Sequence, residues 1–248
     1  NKSSNCIQRV MMVGSAQKSN GGVSTVLKTL KRSTIWDKYQ CYWLETQIQS
    51  NKFVKLVYAI KSYIIAFFTI YKFDIVHFHT VPDISLIVQF PVFLLALLWK
   101  KKIILHLHVG NQIKDYKNNP LFHFCIKKSN KIILLSKRWE EIFKDYFYKY
   151  NVKTDFLYNA CVPVNDIDYE YHKKTIIFAA HLNYNKGYRI LLEAFSKIHK
   201  LYPDWNLIIM GDGEVDKAQK IAKGLDIINN VTFTGYIKGI EKELFFKE

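Results

Sequence analysis

The chain has 248 residues, enough to bury two modest cores, and its 49% apolar and 23% charged residues exclude an intrinsically disordered protein. Its 36 Lys and Arg against 21 Asp and Glu leave a formal net charge of +15, which favours anionic partners: phosphorylated small molecules, an anionic membrane surface or nucleic acid. The basic residues are spread along the chain apart from the short run Lys100-Lys101-Lys102, and no helix-turn-helix, RNP or zinc-finger pattern occurs, so nucleic acid is set aside.

Cys6, Cys41, Cys125 and Cys161 are isolated, without a C-x-x-C or regular spacing, which argues against a disulfide framework or a zinc knuckle. A reducing cytoplasm is expected, with the inner face of the cytoplasmic membrane as a peripheral site. Asn1 to Gln8 are polar and carry no apolar signal core, and a start at Asn is expected of a trimmed chain.

In chain order, Gln8 to Gly14 reads as a first strand, followed by a loop, Gly21-Gly22 and a helix from Val23 to Lys31. This is not G-x-G-x-x-G, but paired glycines at a helix N-terminus allow close backbone approach to an anion; a plain tight turn accounts for them equally well. Gln40 to Leu44 is the second strand. The helix over Asn51 to Lys72 places Phe53, Leu56, Val57, Ile60, Ile64, Phe67, Phe68 and Tyr71 on one face and Lys52, Lys55, Lys61, Ser62, Thr69 and Lys72 on the other. That pattern is amphipathic rather than spanning: it predicts an apolar face packed on a sheet with a solvated basic back, the alternative being docking on an anionic bilayer.

Asp74-Ile-Val-His-Phe-His-Thr80 is a third strand, and the apolar helix Ser85 to Trp99 follows it, too short to cross a membrane. Ile103 to Gly110 is the fourth strand, Lys131 to Leu135 the fifth and Thr154 to Leu157 the sixth, with Ser136 capping the helix after the fifth. Strands alternating with helices predict a parallel, doubly wound sheet, whose carboxyl edge is where such sheets bind ligands. His77 and His79 share one face of their strand, as do His106 and His108. Without a carboxylate or cysteine at ligand spacing no metal is assigned; one or two of these imidazoles are expected to touch substrate, and His77 and His106, lying deeper, to be buried.

Asn159 to Pro163 and the polar segment Asn165 to Lys174 are the expected domain boundary. Beyond it, the buried strand Thr175 to Ala180 hands over to a helix bearing Ile190, Leu191, Ala194, Phe195 and Ile198 through a loop closed by Lys186-Gly187. Such a loop aims backbone N–H groups and an ammonium at one point, which suits a phosphate. A strand Trp205 to Met210, Gly211-Asp212-Gly213, a helix from Glu214 to Lys223 and a strand Asn230 to Thr234 complete a second βαβαβ unit.

The order of Gly21-Gly22, Asp74-Ile-Val-His-Phe-His79, His108, a strand into Ser136, Asn159, the Lys186-Gly187 loop, Gly211-Asp212-Gly213 and Thr234-Gly235 resembles the family 4 glycosyltransferases, retaining enzymes of the GT-B fold. The resemblance implies an α/β protein of two Rossmann-like domains facing across a cleft: residues 1–165 for the acceptor, and residues 166–248, a partial domain, for the nucleotide-sugar donor. It implies that His108 approaches the transferred sugar, that His181, Lys186, Gly211 and Gly213 lie around the donor, and that the amides of Gly21 and Gly22 approach donor phosphate or acceptor. The resemblance implies acceptor or structural roles for His79 and Asn159. His181 stands where the family has an arginine, and an imidazole offers no guanidinium fork to a diphosphate. The family's Glu-x7-Glu pair does not occur; by its layout it would follow Glu248, so a longer protein is expected, with this chain incomplete for catalysis.

The implied reaction moves a hexose-type sugar from a nucleotide-diphosphate sugar, with a UDP-sugar as the expected co-substrate and no other cofactor, to a saccharide or lipid-linked acceptor in cell-surface polysaccharide or glycolipid synthesis. A nucleotide-sugar epimerase on the same fold and a non-catalytic membrane-surface or partner subunit are the rival readings.

Overall fold

The computed structural model describes residues 8–159, 174–237 and 240–247. The expected linker over residues 165–173, together with Cys6 and Cys161, lies outside them. The chain divides into two compact units, Asn1–Val162 and Pro163–Glu248. Each is built on its own parallel sheet.

The first unit runs β1 (Val10–Ser15), α1 (Gly22–Lys31), α2 (Thr34–Lys38), β2 (Tyr42–Gln47), α3 (Lys52–Thr69), β3 (Ile75–Thr80), α4 (Ile84–Leu98), β4 (Lys102–Leu107), α5 (Pro120–Lys128), β5 (Lys131–Leu134), α6 (Lys137–Phe147) and β6 (Lys153–Phe156). Its six strands are ordered β2-β1-β3-β4-β5-β6, all parallel. The chain moves one way from β1 to β2 and the other way from β3 onward, so the topological switch point lies between β1 and β3, with the loops after β1 and β3 at its carboxyl edge. Alternate residues of the strands, Met11, Val13, Val76, Phe78, Ile103, Leu105 and Ile132 among them, pack with α3 to α6 in the main core. On the opposite face Val10 and Met12 meet Leu27 of α1 and Trp43 of β2.

Side chains set the helix starts. Asn51, Asp83, Asn119 and Ser136 each accept a backbone N–H in the first turn of α3, α4, α5 and α6. Second and sixth strands are displaced from their expected spans by one to three residues, since the partner strand rather than local composition fixes where a ladder ends.

One packing expectation is reversed. The eight large apolar residues from Phe53 to Tyr71 form the stripe that the periodicity predicts, yet all eight are 46% to 74% exposed. The residues that α3 buries are Ala59, Ser62 and Ala66. These small side chains let the helix lie close to β2 and α4, and the Ser62 hydroxyl is satisfied by donating to the Ala59 carbonyl at 2.7 Å. With its 3-10 extension, Lys52–Lys72 is 21 residues and apolar enough to cross a membrane. Its two ends, however, lead to β2 and β3, strands of one sheet separated by β1 alone, so the helix lies along that sheet.

The second unit runs β7 (Thr175–Ala179), α7 (Tyr188–Leu201), β8 (Asn206–Met210), α8 (Val215–Gly224), β9 (Val231–Gly235) and α9 (Ile240–Lys247), with the parallel order β7-β8-β9. Leu192 and Phe195 of α7 and Ala218 and Ala222 of α8 bury one face of this sheet against Leu207 and Ile209.

Candidate functional site

In the first unit the carboxyl ends of β3 and β4 carry a column of four imidazoles. The register pairs His79 with His106, and the rings follow one another at 4.4 Å between His77 and His79, 4.9 Å between His79 and His106, and 4.6 Å between His106 and His108. His79 Nδ1 and His108 Nε2 are 3.0 Å apart, a hydrogen bond in which the tautomers decide which ring donates. His77, His79 and His106 are buried, whereas His108 is half-buried and forms the accessible end.

Burial dominates their chemistry. It pushes His77 down to about 3, with the neighbouring His108 adding to the effect, and His108 itself down to about 4. Desolvation and the surrounding imidazoles drive His79 and His106 down as well. All four are therefore neutral near pH 7, and His108 can give or take a hydrogen bond without bringing a charge. Ring nitrogens of His77, His79 and His106 lie within 4.8 Å of one another, a donor set that could in principle hold a metal. The rings of His77 are nearly parallel to those of His79 and His106, at 29° and 16°. Lone pairs lie in the ring planes, so stacked rings aim them alongside one another rather than at a common ion.

The loop after β1 lies at the switch point. A Cβ on Gly14 would come within 3.5 Å of His79 Cβ, which shows how closely β1 approaches β3 there. Gly21 is the N-cap of α1 and supplies no side chain to it, while Gly22 opens the helix facing free space. No acidic residue stands in that first turn, and Lys28 Nζ donates to the Ser19 carbonyl in the same loop at 3.1 Å. Its amides and positive dipole end thus favour an anion. Asn159 is exposed beyond β6, and the structure does not bring it to the histidines by any hydrogen bond among the described residues.

In the second unit two loops at the carboxyl edge are joined backbone to backbone. Leu182 N donates to the Asp212 carbonyl at 2.7 Å, Glu214 N to the Leu182 carbonyl at 2.9 Å and Ala180 N to the Met210 carbonyl at 3.0 Å. Gly211 is what permits this: a Cβ there would sit 1.8 Å from the Ala180 carbonyl oxygen. Gly213, at φ +102, lies against His181, and His181 Nδ1 meets Asp212 Oδ1 at 2.6 Å. The structure therefore brings together His181, Gly211 and Gly213, and adds Asp212, which the sequence reading did not single out. A partner 31 residues away leaves no local signal.

From Leu182 the chain passes through Asn183, whose side chain accepts from Lys186 N, to Gly187 in the left-handed region at φ +76. Gly187 is the N-cap of α7, again without a side-chain cap, and no acidic residue occupies the first turn. Lys186 is exposed beside it, and its ammonium has no ion-pair partner among the described residues. Arg189, in the first turn of α7, is held by Tyr188 and by Glu214 at 3.7 Å. The uncapped N-terminus of α7, with its dipole end and the neighbouring unpaired Lys186, is suited to phosphate.

Residues 167–248 match the protein family described as Glycosyl transferases group 1. An uncharacterized glycosyltransferase of Haemophilus influenzae is 32% identical over 112 residues, 45% of this chain and 31% of that protein. The chain spans less than half the length of the curated relatives it matches. Among solved structures, the lipopolysaccharide outer core galactosyltransferase WaaB in its apo form aligns with 97% of this chain and 72% of its own, at 15% identity and a TM-score of 0.60. The pneumococcal O-GlcNAc transferase GtfA in complex with UDP and GlcNAc aligns with 66% of this chain and 34% of its own, at 17% identity and a TM-score of 0.53. The fold is thus that of the GT-B glycosyltransferases, and the match to the glycosyltransferase group 1 family lies in residues 167–248.

Proposed function

We propose that the protein is a glycosyltransferase whose second unit binds the diphosphate of a nucleotide-sugar donor and whose first unit serves the acceptor. The observation that carries this is the start of α7: a helix N-terminus with no side-chain cap and no acidic residue of its own in the first turn, the one carboxylate against it, Glu214, being held by Tyr188, Arg189 and Lys217, and the unpaired Lys186 beside it, inside the region that matches the glycosyltransferase family. A UDP-sugar is the donor we favour, since GtfA is described with UDP.

As the glycosidic phosphate departs, negative charge grows on its oxygens, and the amides of α7 with the Lys186 ammonium stabilise that charge where it develops. Transfer with retention then needs no protein nucleophile if the leaving phosphate oxygen takes the proton of an acceptor hydroxyl held on the same face. His108 keeps the catalytic assignment: it is neutral, and it is the member of the column open to solvent. Its Nε2 is hydrogen-bonded to His79 Nδ1, so His79 positions the ring. A hexose-type sugar, a saccharide or lipid-linked acceptor and a role in cell-surface polysaccharide or glycolipid synthesis complete the proposal.

Calorimetric titration of the chain with UDP tests it. Binding is expected, with Lys186→Ala weakening it by about tenfold or more, as loss of a charge-assisted contact does, and Lys186→Arg retaining most of it. Equal affinity for UDP in all three proteins would remove the phosphate role of this loop.

A further inference from the structure

We propose that the outer face of α3 and α4 docks the protein on an anionic lipid bilayer, with both helices lying in the plane of the interface. On α3 the stripe formed by Phe53, Leu56, Ile60, Ile64, Phe67 and Phe68 points away from the protein, opposite Ala59, Ser62 and Ala66. The neighbouring α4 adds Ile84, Ile87 and Leu98, each more than half exposed. The two helices pack side by side on one face of the sheet, tied by the Tyr63 hydroxyl donating to the Val88 carbonyl at 2.9 Å. Their outward apolar surface is therefore continuous. Such a surface, several helical turns long, is not left in water without something to cover it.

Charge decides what covers it. Neither α3 nor α4 contains an Asp or Glu, whereas Lys61 lines one groove with Val57, Ile60 and Ile64 and Lys72 follows Tyr71, so these two lysines border the stripe rather than lying behind it. At the shared C-terminal end of the two helices the rings of Tyr71 and Trp99 stand 5.9 Å apart. Lys72 lies 5.6 Å from the Tyr71 ring, and Lys101 donates to the Tyr71 carbonyl at 2.8 Å, which places the Lys100-Lys101-Lys102 run at this rim. Amphipathic aromatic rings and long-stemmed cations around an apolar field match the layering of a bilayer surface, with hydrocarbon below and anionic headgroups beside it. A second copy of the chain would instead bring the same lysines together with no carboxylate on either helix to meet them. Because β2 and β3 belong to one sheet, α3 docks by its face and does not cross. This proposal stands apart from the donor-binding one.

Sedimentation of the full chain with vesicles tests it, using equal parts phosphatidylglycerol and phosphatidylcholine against phosphatidylcholine alone. Binding to the anionic vesicles is expected, weakening as salt is raised. The variants Phe67→Ser/Phe68→Ser and Lys61→Glu/Lys72→Glu should each lower it by about tenfold or more while leaving the circular dichroism spectrum and Tm unchanged, since all four side chains are exposed. Equal binding to both vesicle types would overturn the anionic assignment. No vesicle binding, or a salt-insensitive dimer abolished by Phe67→Ser/Phe68→Ser, would overturn membrane docking altogether.

Discussion

The carboxyl edges of the two sheets are opposite solutions to presenting polar groups. On the first, four imidazoles are packed against one another and three of them are removed from water, so desolvation fixes their protonation. On the second, His181 and Asp212 are 58% and 62% exposed, and Lys186 stands free in solvent. The first edge is chemically defined by what surrounds it, and the second by charge and by backbone geometry.

The sharpest way to break this contrast is Gly211→Ala. A Cβ would fall 1.8 Å from the Ala180 carbonyl oxygen, a backbone atom rather than a flexible side chain that could yield, so the joined loops must separate. We expect a loss of about 3 kcal/mol or more in the second unit, read by denaturant unfolding, with the tryptophans of the first unit reporting no comparable change.

Acid should act on the other edge. Imidazoles whose folded pKa lies below the ordinary 6.5 bind fewer protons folded than unfolded between the two values. Their neutral burial therefore leaves stability complete above 6.5, and stability is lost as pH falls toward about 4 for His108 and about 3 for His77. Calorimetry should show Tm dropping by roughly 5 °C or more between about pH 7 and about pH 5. A flat profile would mean that the column is hydrated rather than buried.

The smallest effect belongs to His181→Ala. An exposed side-chain hydrogen bond is worth little, so unfolding free energy should stay within about 0.5 kcal/mol of the parent. A larger loss by urea titration would show that the second edge depends on side-chain contacts after all.

Much of both edges was legible in the chain. The alternation Asp74-Ile-Val-His-Phe-His79 put His77 and His79 on one strand face, and the same period put His106 and His108 on theirs. The Lys186-Gly187 pair announced a loop closing onto a helix, and the structure has Gly187 in the left-handed conformation that glycine adopts without strain. What could not be read was the pairing of His181 with Asp212, and the assembly of four histidines into one column through the β3–β4 register.

Helix α3 draws the same line most clearly. Its 3.6-residue period was visible, and so was the stripe it makes, because a helix places its side chains by local geometry within a few residues. Which stripe faces the sheet was decided by how near β2 and α4 approach: Ala59, Ser62 and Ala66 fit that distance and the aromatic residues do not. Sequence by itself determined the elements, their order and the chemistry available at each strand end. Tertiary structure decided which groups lose water, and hence which histidines stay neutral and which apolar face is left outside, because desolvation depends on residues brought together from distant parts of the chain.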